Sequence, residues 1–183
     1  GLVRFLSTRN ISLIDGGTAT GVMPLIGVAR QRRGYHFPLI GVAPEGKVSI
    51  PEAEPAGTTV ALDAAHSHFV LVEGDQFGAE SEMIIQLAYA LSGAGNQKRL
   101  QIVVNGGEIV RREAHRCSTR APRFPLLVLE GSGRFADELA QARERGSGDP
   151  LIREILDQGI VHFIPVSGGA DNLYRWLENF FGE

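Results

Sequence analysis

LLVLEGSGRFAD, residues Leu126 to Asp137, decides how the rest of the chain is read. Four apolar residues with the branching of a buried strand run into Glu130, Gly131, Ser132, Gly133 and Arg134, and a helical pattern starts at Phe135. Gly131 and Gly133 let the backbone turn tightly and come close to a ligand. The N–H groups of the following helical turn have no intrahelical partner and would face an anion there. Ser132 adds a hydroxyl and Arg134 a planar guanidinium that can grip phosphate with two hydrogen bonds. The stretch therefore reads as a phosphate or pyrophosphate cradle. A plain glycine turn capped by serine fits the same letters.

Outward from this stretch the same grammar recurs. LIDGG, LVEGD, VVNGG and PVSGG each place an apolar strand directly before a polar residue and glycine, at Gly16 and Gly17, at Gly74 and Asp75, at Gly106 and Gly107, and at Gly168 and Gly169. Helical spacing follows these turns: Val22, Leu25, Ile26 and Ala29 on one face; Ile84, Leu87, Ala88 and Leu91; Val110, Ala114 and Cys117; Leu173, Trp176, Leu177, Phe180 and Phe181. Asp149 followed by Pro150 is an N-cap and first-turn pair for a helix bearing Leu151, Ile155 and Leu156. Fully apolar strands separated by helices predict an α/β fold, Rossmann-like and doubly wound, with a mostly parallel sheet and helices on both faces. Ligands of such sheets bind at the carboxyl ends of the strands, where these glycine turns gather.

Composition narrows the classes. A chain of 183 residues, 43% hydrophobic, suits one domain with a sizeable core. A net charge of -3 gives no basic footprint for nucleic acid, so any phosphate recognition is local. One cysteine, Cys117, excludes an internal disulfide framework, and it falls on a packing face. No apolar run approaches membrane-spanning length, and a cytoplasmic location is expected. Opening at Gly1 without methionine, the chain reads as a fragment with sequence upstream. Pro44 to Thr59, rich in Pro, Gly and Glu, reads as a loop, either a lid over the ligand or a solvated connection.

Four blocks together carry a resemblance: GGTATGVM at Gly16 to Met23, PLIGVAP at Pro38 to Pro44, LDAAHSHFVLVEG at Leu62 to Gly74, and LLVLEGSGRFAD at Leu126 to Asp137. In this order they resemble the LSDAT branch of the SLOG superfamily in its prokaryotic form, which is similar to the amino-terminal homology region of TRPM cation channels. The resemblance implies a single nucleotide-binding domain over residues 1–183, lacking the strand that the family places before the first helix. It implies a ligand derived from a nucleotide, of the NAD-derived class such as ADP-ribose or cyclic ADP-ribose, with no further cofactor. It places phosphate contacts at Gly131, Ser132, Gly133 and Arg134, and a first glycine turn at Gly16, Gly17, Thr18, Gly21, Val22 and Met23. The implied partner is a fused or separate effector, or a membrane channel at whose cytoplasmic face the domain would sit; a homo-oligomer is compatible.

Two chemical alternatives fit other residues of the chain. His66 and His68 with Asp63 could ligate a metal, but two-residue spacing without a further ligand is weak, and the resemblance assigns this block to structural hydrogen bonding. The rival enzyme is the LOG branch of the same superfamily, which hydrolyses an N-glycosidic bond in nucleotides. Gly74 to Glu82, GDQFGAESE, sits where that branch has its glycine-rich motif, with Glu82 or Glu80 as the carboxylate that would stabilise an oxocarbenium-like ribose. The motif's proline, second glycine and threonine are not matched, so sensing is preferred to catalysis.

Overall fold

Apolar runs closed by glycine or proline become short parallel strands, and the periodic stretches between them become helices, giving a Rossmann-like α/β fold. The computed structural model describes residues 1–49 and 59–182. Its elements in chain order are α1 (Leu2–Arg9), β1 (Leu13–Asp15), α2 (Met23–Arg32), β2 (Leu39–Pro44), a 3-10 turn (Glu45–Lys47), β3 (Val48–Ser49), β4 (Val60–Ala61), β5 (His68–Val72) and α3 (Ser81–Leu91). There follow β6 (Gln101–Val103), α4 (Glu108–Thr119), β7 (Leu126–Glu130), α5 (Arg134–Arg145), α6 (Pro150–Gln158), β8 (Val161–Pro165), a 3-10 turn (Val166–Gly168) and α7 (Gly169–Gly182). The chain divides into two compact units, Gly1–Ile84 with Tyr174–Glu183, and Ile85–Leu173.

In the first unit the sheet order is β1-β2-β5 with both pairings parallel. β2 lies in the middle and every one of its residues is buried, which is why its sequence is apolar without alternation. Phe5 of α1 and Leu177 of α7 are buried, and the Phe5 ring packs 5.4 Å from that of Phe181.

Three expectations are corrected here. Leu25, assigned to the buried face of α2, is 69% exposed, and Val22 and Val28 are exposed with it. The face that packs is marked by Gly27: a Cβ there would lie 2.5 Å from both Ala65 and the Asp63 carboxylate, so only glycine lets the helix approach that loop. Leu71 in β5 is 47% exposed, so this strand is not buried throughout as its apolar run suggested. In the loop from Pro44 to Thr59, Pro44 ends β2, Glu45–Lys47 forms a 3-10 turn, and Val48–Ser49 pairs in parallel with Val60–Ala61. The remainder of the lid expectation falls on residues 50–58, outside the described residues.

In the second unit the order is β6-β7-β8, again parallel throughout. Leu126, Leu127 and Val128 of the central strand are fully buried. Val103, Cys117, Leu139 and Ile155 close around it, so the packing role read for Cys117 holds. The cap read at the start of α6 holds as well: Asp149 Oδ1 accepts the N–H of Leu151 at 2.9 Å and of Ile152 at 3.4 Å. Parallel strands place all carboxyl ends of a sheet on one edge. In this unit those ends are Asn105–Gly107, Gly131–Arg134 and the turn before α7.

Candidate functional site

The turns after β6 and β7 are joined by hydrogen bonds that no periodicity announces. Asn105 N–H donates to Ser132 Oγ at 2.7 Å, and the Ser132 hydroxyl donates to the carbonyl of Leu129 at 2.6 Å. From the other side, Ala136 N–H donates to the Asn105 carbonyl at 2.9 Å and Phe135 N–H reaches the Gly106 carbonyl at 3.5 Å. Two N–H groups in the first turn of α5 are thereby taken, which corrects the expectation that this turn stands open to an anion. The N–H of Gly131 is also taken, by the Asp137 carboxylate at 2.7 Å. The proton of Ser132 is committed to Leu129 and its oxygen accepts the Asn105 N–H, so the hydroxyl braces the two turns.

What remains available is Arg134. It opens α5 one residue before the predicted start, with φ of 44°, a left-handed conformation that costs a non-glycine residue about 1 to 2 kcal/mol. Its guanidinium is exposed, makes no hydrogen bond or ion pair among the described residues, and lies against Gly107: a Cβ on that glycine would sit 2.9 Å from a terminal nitrogen. Gly107 and Gly133 are the N-caps of α4 and α5, and neither has a side-chain cap. The start of α4 and a cation thus meet at one glycine-lined place, while the first N–H groups of α5 are already spent on the Asn105 and Gly106 carbonyls. Of the sequence candidates, Gly106, Gly107, Gly131, Ser132, Gly133 and Arg134 are brought together.

The first glycine turn is built differently. Gly17, with φ of 64°, packs on β2 so closely that a Cβ would lie 2.6 Å from the Gly41 Cα. Its carbonyl accepts Asp63 N–H at 2.8 Å, and its N–H donates to Asp15 Oδ1 at 2.7 Å. The Met23 sulfur lies near Gly16 and 3.8 Å from the buried Thr18 hydroxyl, which also pairs with Thr20 Oγ1 at 2.8 Å. Gly21 has open space around it and Val22 is the exposed N-cap of α2. Gly74 and Asp75, at the end of β5, are held against Gly46, whose N–H donates to the Gly74 carbonyl at 2.9 Å.

Beneath the first turn lies His66, its side chain 0% exposed. Nε2 is 2.8 Å from Asp15 Oδ1, and Nδ1 is 3.1 Å from Asp63 Oδ2 and 3.2 Å from the Asp63 carbonyl. Burial opposes its charge, but the hydrogen bond and charge of Asp15, with Asp63 behind it, prevail and hold the imidazole above its ordinary pKa. His66 and Asp63 therefore serve each other, as the structural reading of the histidine block anticipated, while His68 is exposed and bonds Ser67 Oγ at 2.9 Å. Of the two carboxylates considered for catalysis, Glu80 is 6% exposed and accepts Gly78 N–H at 2.7 Å, which caps the turn before α3. Glu82 is exposed in the first turn of α3.

The family model described as SLOG in TRPM, prokaryote, matches residues 1–173. The chain belongs to this family. The SLOG chain is 26% identical to a transient receptor potential channel of Caenorhabditis elegans over 93% of its own length and 10% of that channel's. It is 27% identical to subfamily M member 2 of Rattus norvegicus, covering 77% of the SLOG chain and 12% of the channel. With subfamily M member 1 of Mus musculus the identity is 28%, over 88% and 12%. It thus spans about a tenth of the length of these relatives. Among its described residues no helix is long and apolar enough to cross a membrane.

Two residues of the SLOG chain that organise the turns were absent from the candidates read off the sequence, Asn105 and Asp15. Asn105 had a legible signal, since asparagine before two glycines is the non-glycine residue best suited to the left-handed φ of 56° found there. Its Oδ1 is buried without a donor. Asp15 carried no such signal, because its partner His66 is 51 positions away.

Proposed function

We propose that this SLOG domain binds a nucleotide-derived ligand of the NAD-derived class, ADP-ribose or cyclic ADP-ribose, and passes occupancy to an effector or channel module. The observation that carries this reading is the exposed guanidinium of Arg134, which has no hydrogen bond or ion pair among the described residues and lies over Gly107 at the start of α4, a helix start without a side-chain cap. A planar cation beside a helix N-terminus is the chemistry that recognises phosphate, and glycine at the contact lets a ligand reach the backbone. Kinship with channels ten times its length supports a module that reports to something larger, at the cytoplasmic face of a membrane complex. No further cofactor is invoked, and the ligand is a small molecule, not nucleic acid.

Titration calorimetry with ADP-ribose tests it. Arg134→Ala removes one charge-assisted contact, worth about 1.5 to 3 kcal/mol, so affinity should fall roughly ten- to a hundredfold with the fold intact. Equal affinity in variant and parent removes Arg134 from the site, and no binding of ADP-ribose, cyclic ADP-ribose or NAD by the parent overturns the reading.

A further inference from the structure

Both ring nitrogens of His66 face acceptors. Nε2 meets the Asp15 carboxylate, and Nδ1 meets a carboxylate oxygen and the carbonyl of Asp63. A neutral imidazole has one N–H and one lone pair, so one of these contacts would set a lone pair against an oxygen about 3 Å away. Only the imidazolium satisfies both sides. The other groups around the ring do not alter this balance. Phe69 of β5 stacks on it at 5.5 Å, and Gly41 of β2 is uncharged. Arg30 of α2 spends its guanidinium on the carbonyls of Phe37 at 3.1 Å and Ala65 at 3.3 Å. His68, two residues along, is exposed and bonded to Ser67.

The two residues so joined also grip the first glycine turn, Asp15 through its carboxylate and Asp63 through its backbone. Asp15 Oδ1 accepts the Gly17 N–H as well as the His66 proton, and the Asp63 N–H donates to the Gly17 carbonyl. We propose that His66 is a proton-dependent lock and the positioning residue of this turn: as imidazolium it ties Asp15 to Asp63 and holds residues 15–18 in the shape described, and loss of one proton releases one side. Gly17 has little alternative to this grip, since its left-handed backbone lies directly on Gly41.

The test is amide hydrogen exchange of Gly17 and Asp63 in the intact chain across pH 5.5 to 8.5, expressed as protection over the intrinsic rate. Protection should be high at the acid end and fall as pH rises through the His66 titration, followed on the imidazole carbons by NMR. Asp15→Asn keeps an acceptor for both donors but removes the charge, so the fall should move to lower pH; this variant keeps the proposal testable if His66→Asn does not fold. Protection unchanged with pH, or a fall that Asp15→Asn leaves in place, overturns the lock.

Discussion

The two glycine turns of this chain look alike as sequence, and each has a glycine N–H held by an aspartate carboxylate, but they differ in what becomes of their cation. The turn at Asp15–Thr18 is held by charge kept inside: a buried imidazolium between two carboxylates, with no cation left over for solvent. The turn at Gly131–Arg134 is held by hydrogen bonds through Asn105, Ser132 and Leu129 and by the Asp137 carboxylate on the Gly131 N–H, and its one cation, Arg134, is exposed and enters none of them. A charge consumed in bracing a loop cannot also bind a ligand, whereas a loop braced without its cation leaves that cation for recognition. The difference separates a turn that is stabilised from a turn that is equipped.

The comparison breaks most severely at His66. Replacement by alanine leaves two carboxylates facing each other in a buried site, and removing one member of such a pair costs about 3 to 5 kcal/mol, measurable by urea denaturation. The same experiment on the parent chain reads the sign of the linkage. The folded-state pKa of His66 is raised, so its stabilisation is fully present below about pH 6.5, the ordinary value, and is lost as pH rises through the folded value. Parent stability should decline over that window and the His66→Ala profile should not. An identical decline in both would mean that another group is responsible.

Glycine substitutions give the next largest contrast. Gly17→Ala meets both a left-handed backbone and the Gly41 Cα at 2.6 Å, whereas Gly133→Ala meets the strain with its nearest neighbour, Asn105 Oδ1, at 3.6 Å. Strain alone costs about 1 to 2 kcal/mol, and forced overpacking adds about 1 to 3. Thermal melts should rank Gly17→Ala as clearly the worse; equal losses would show that the Gly17–Gly41 approach relaxes easily.

The smallest expected effect on stability distinguishes bracing from recognition within the second turn. Ser132→Ala strands the Asn105 N–H, while the Leu129 carbonyl keeps the backbone N–H of residue 132, and should cost about 1 to 3 kcal/mol. A loss below about 0.5 kcal/mol in chemical denaturation would move Ser132 from bracing to the ligand. Arg134→Ala, which breaks no hydrogen bond or ion pair among the described residues, should change stability within that margin.

Much of the architecture was readable because it rests on local rules. LLVLE before Gly131 had to be a buried strand, Asp149–Pro150 had to begin a helix, and Cys117 fell on a packing face; each depends on a few neighbouring residues. The site was legible only as types and turns. Gly106, Gly107, Gly133 and Arg134 were recognisable as cradle material, but that α5's first N–H groups would be spent on the Asn105 and Gly106 carbonyls depends on how two loops meet. Leu25 shows the same limit from the other side. Its spacing fits a buried face, yet α2 turns instead on Gly27, because the loop bearing Asp63 and Ala65 comes too close for any side chain.

By itself, then, the sequence determined the alternation of strands and helices, the glycine turns at strand ends and the family, since period, branching and backbone freedom are properties of neighbouring residues. Only the tertiary structure decided which polar groups are consumed and which are left over. Hydrogen bonds and charge pairs between Asp15 and His66, or between Asn105 and Ser132, form across dozens of residues, and their geometry exists only once the strands have paired.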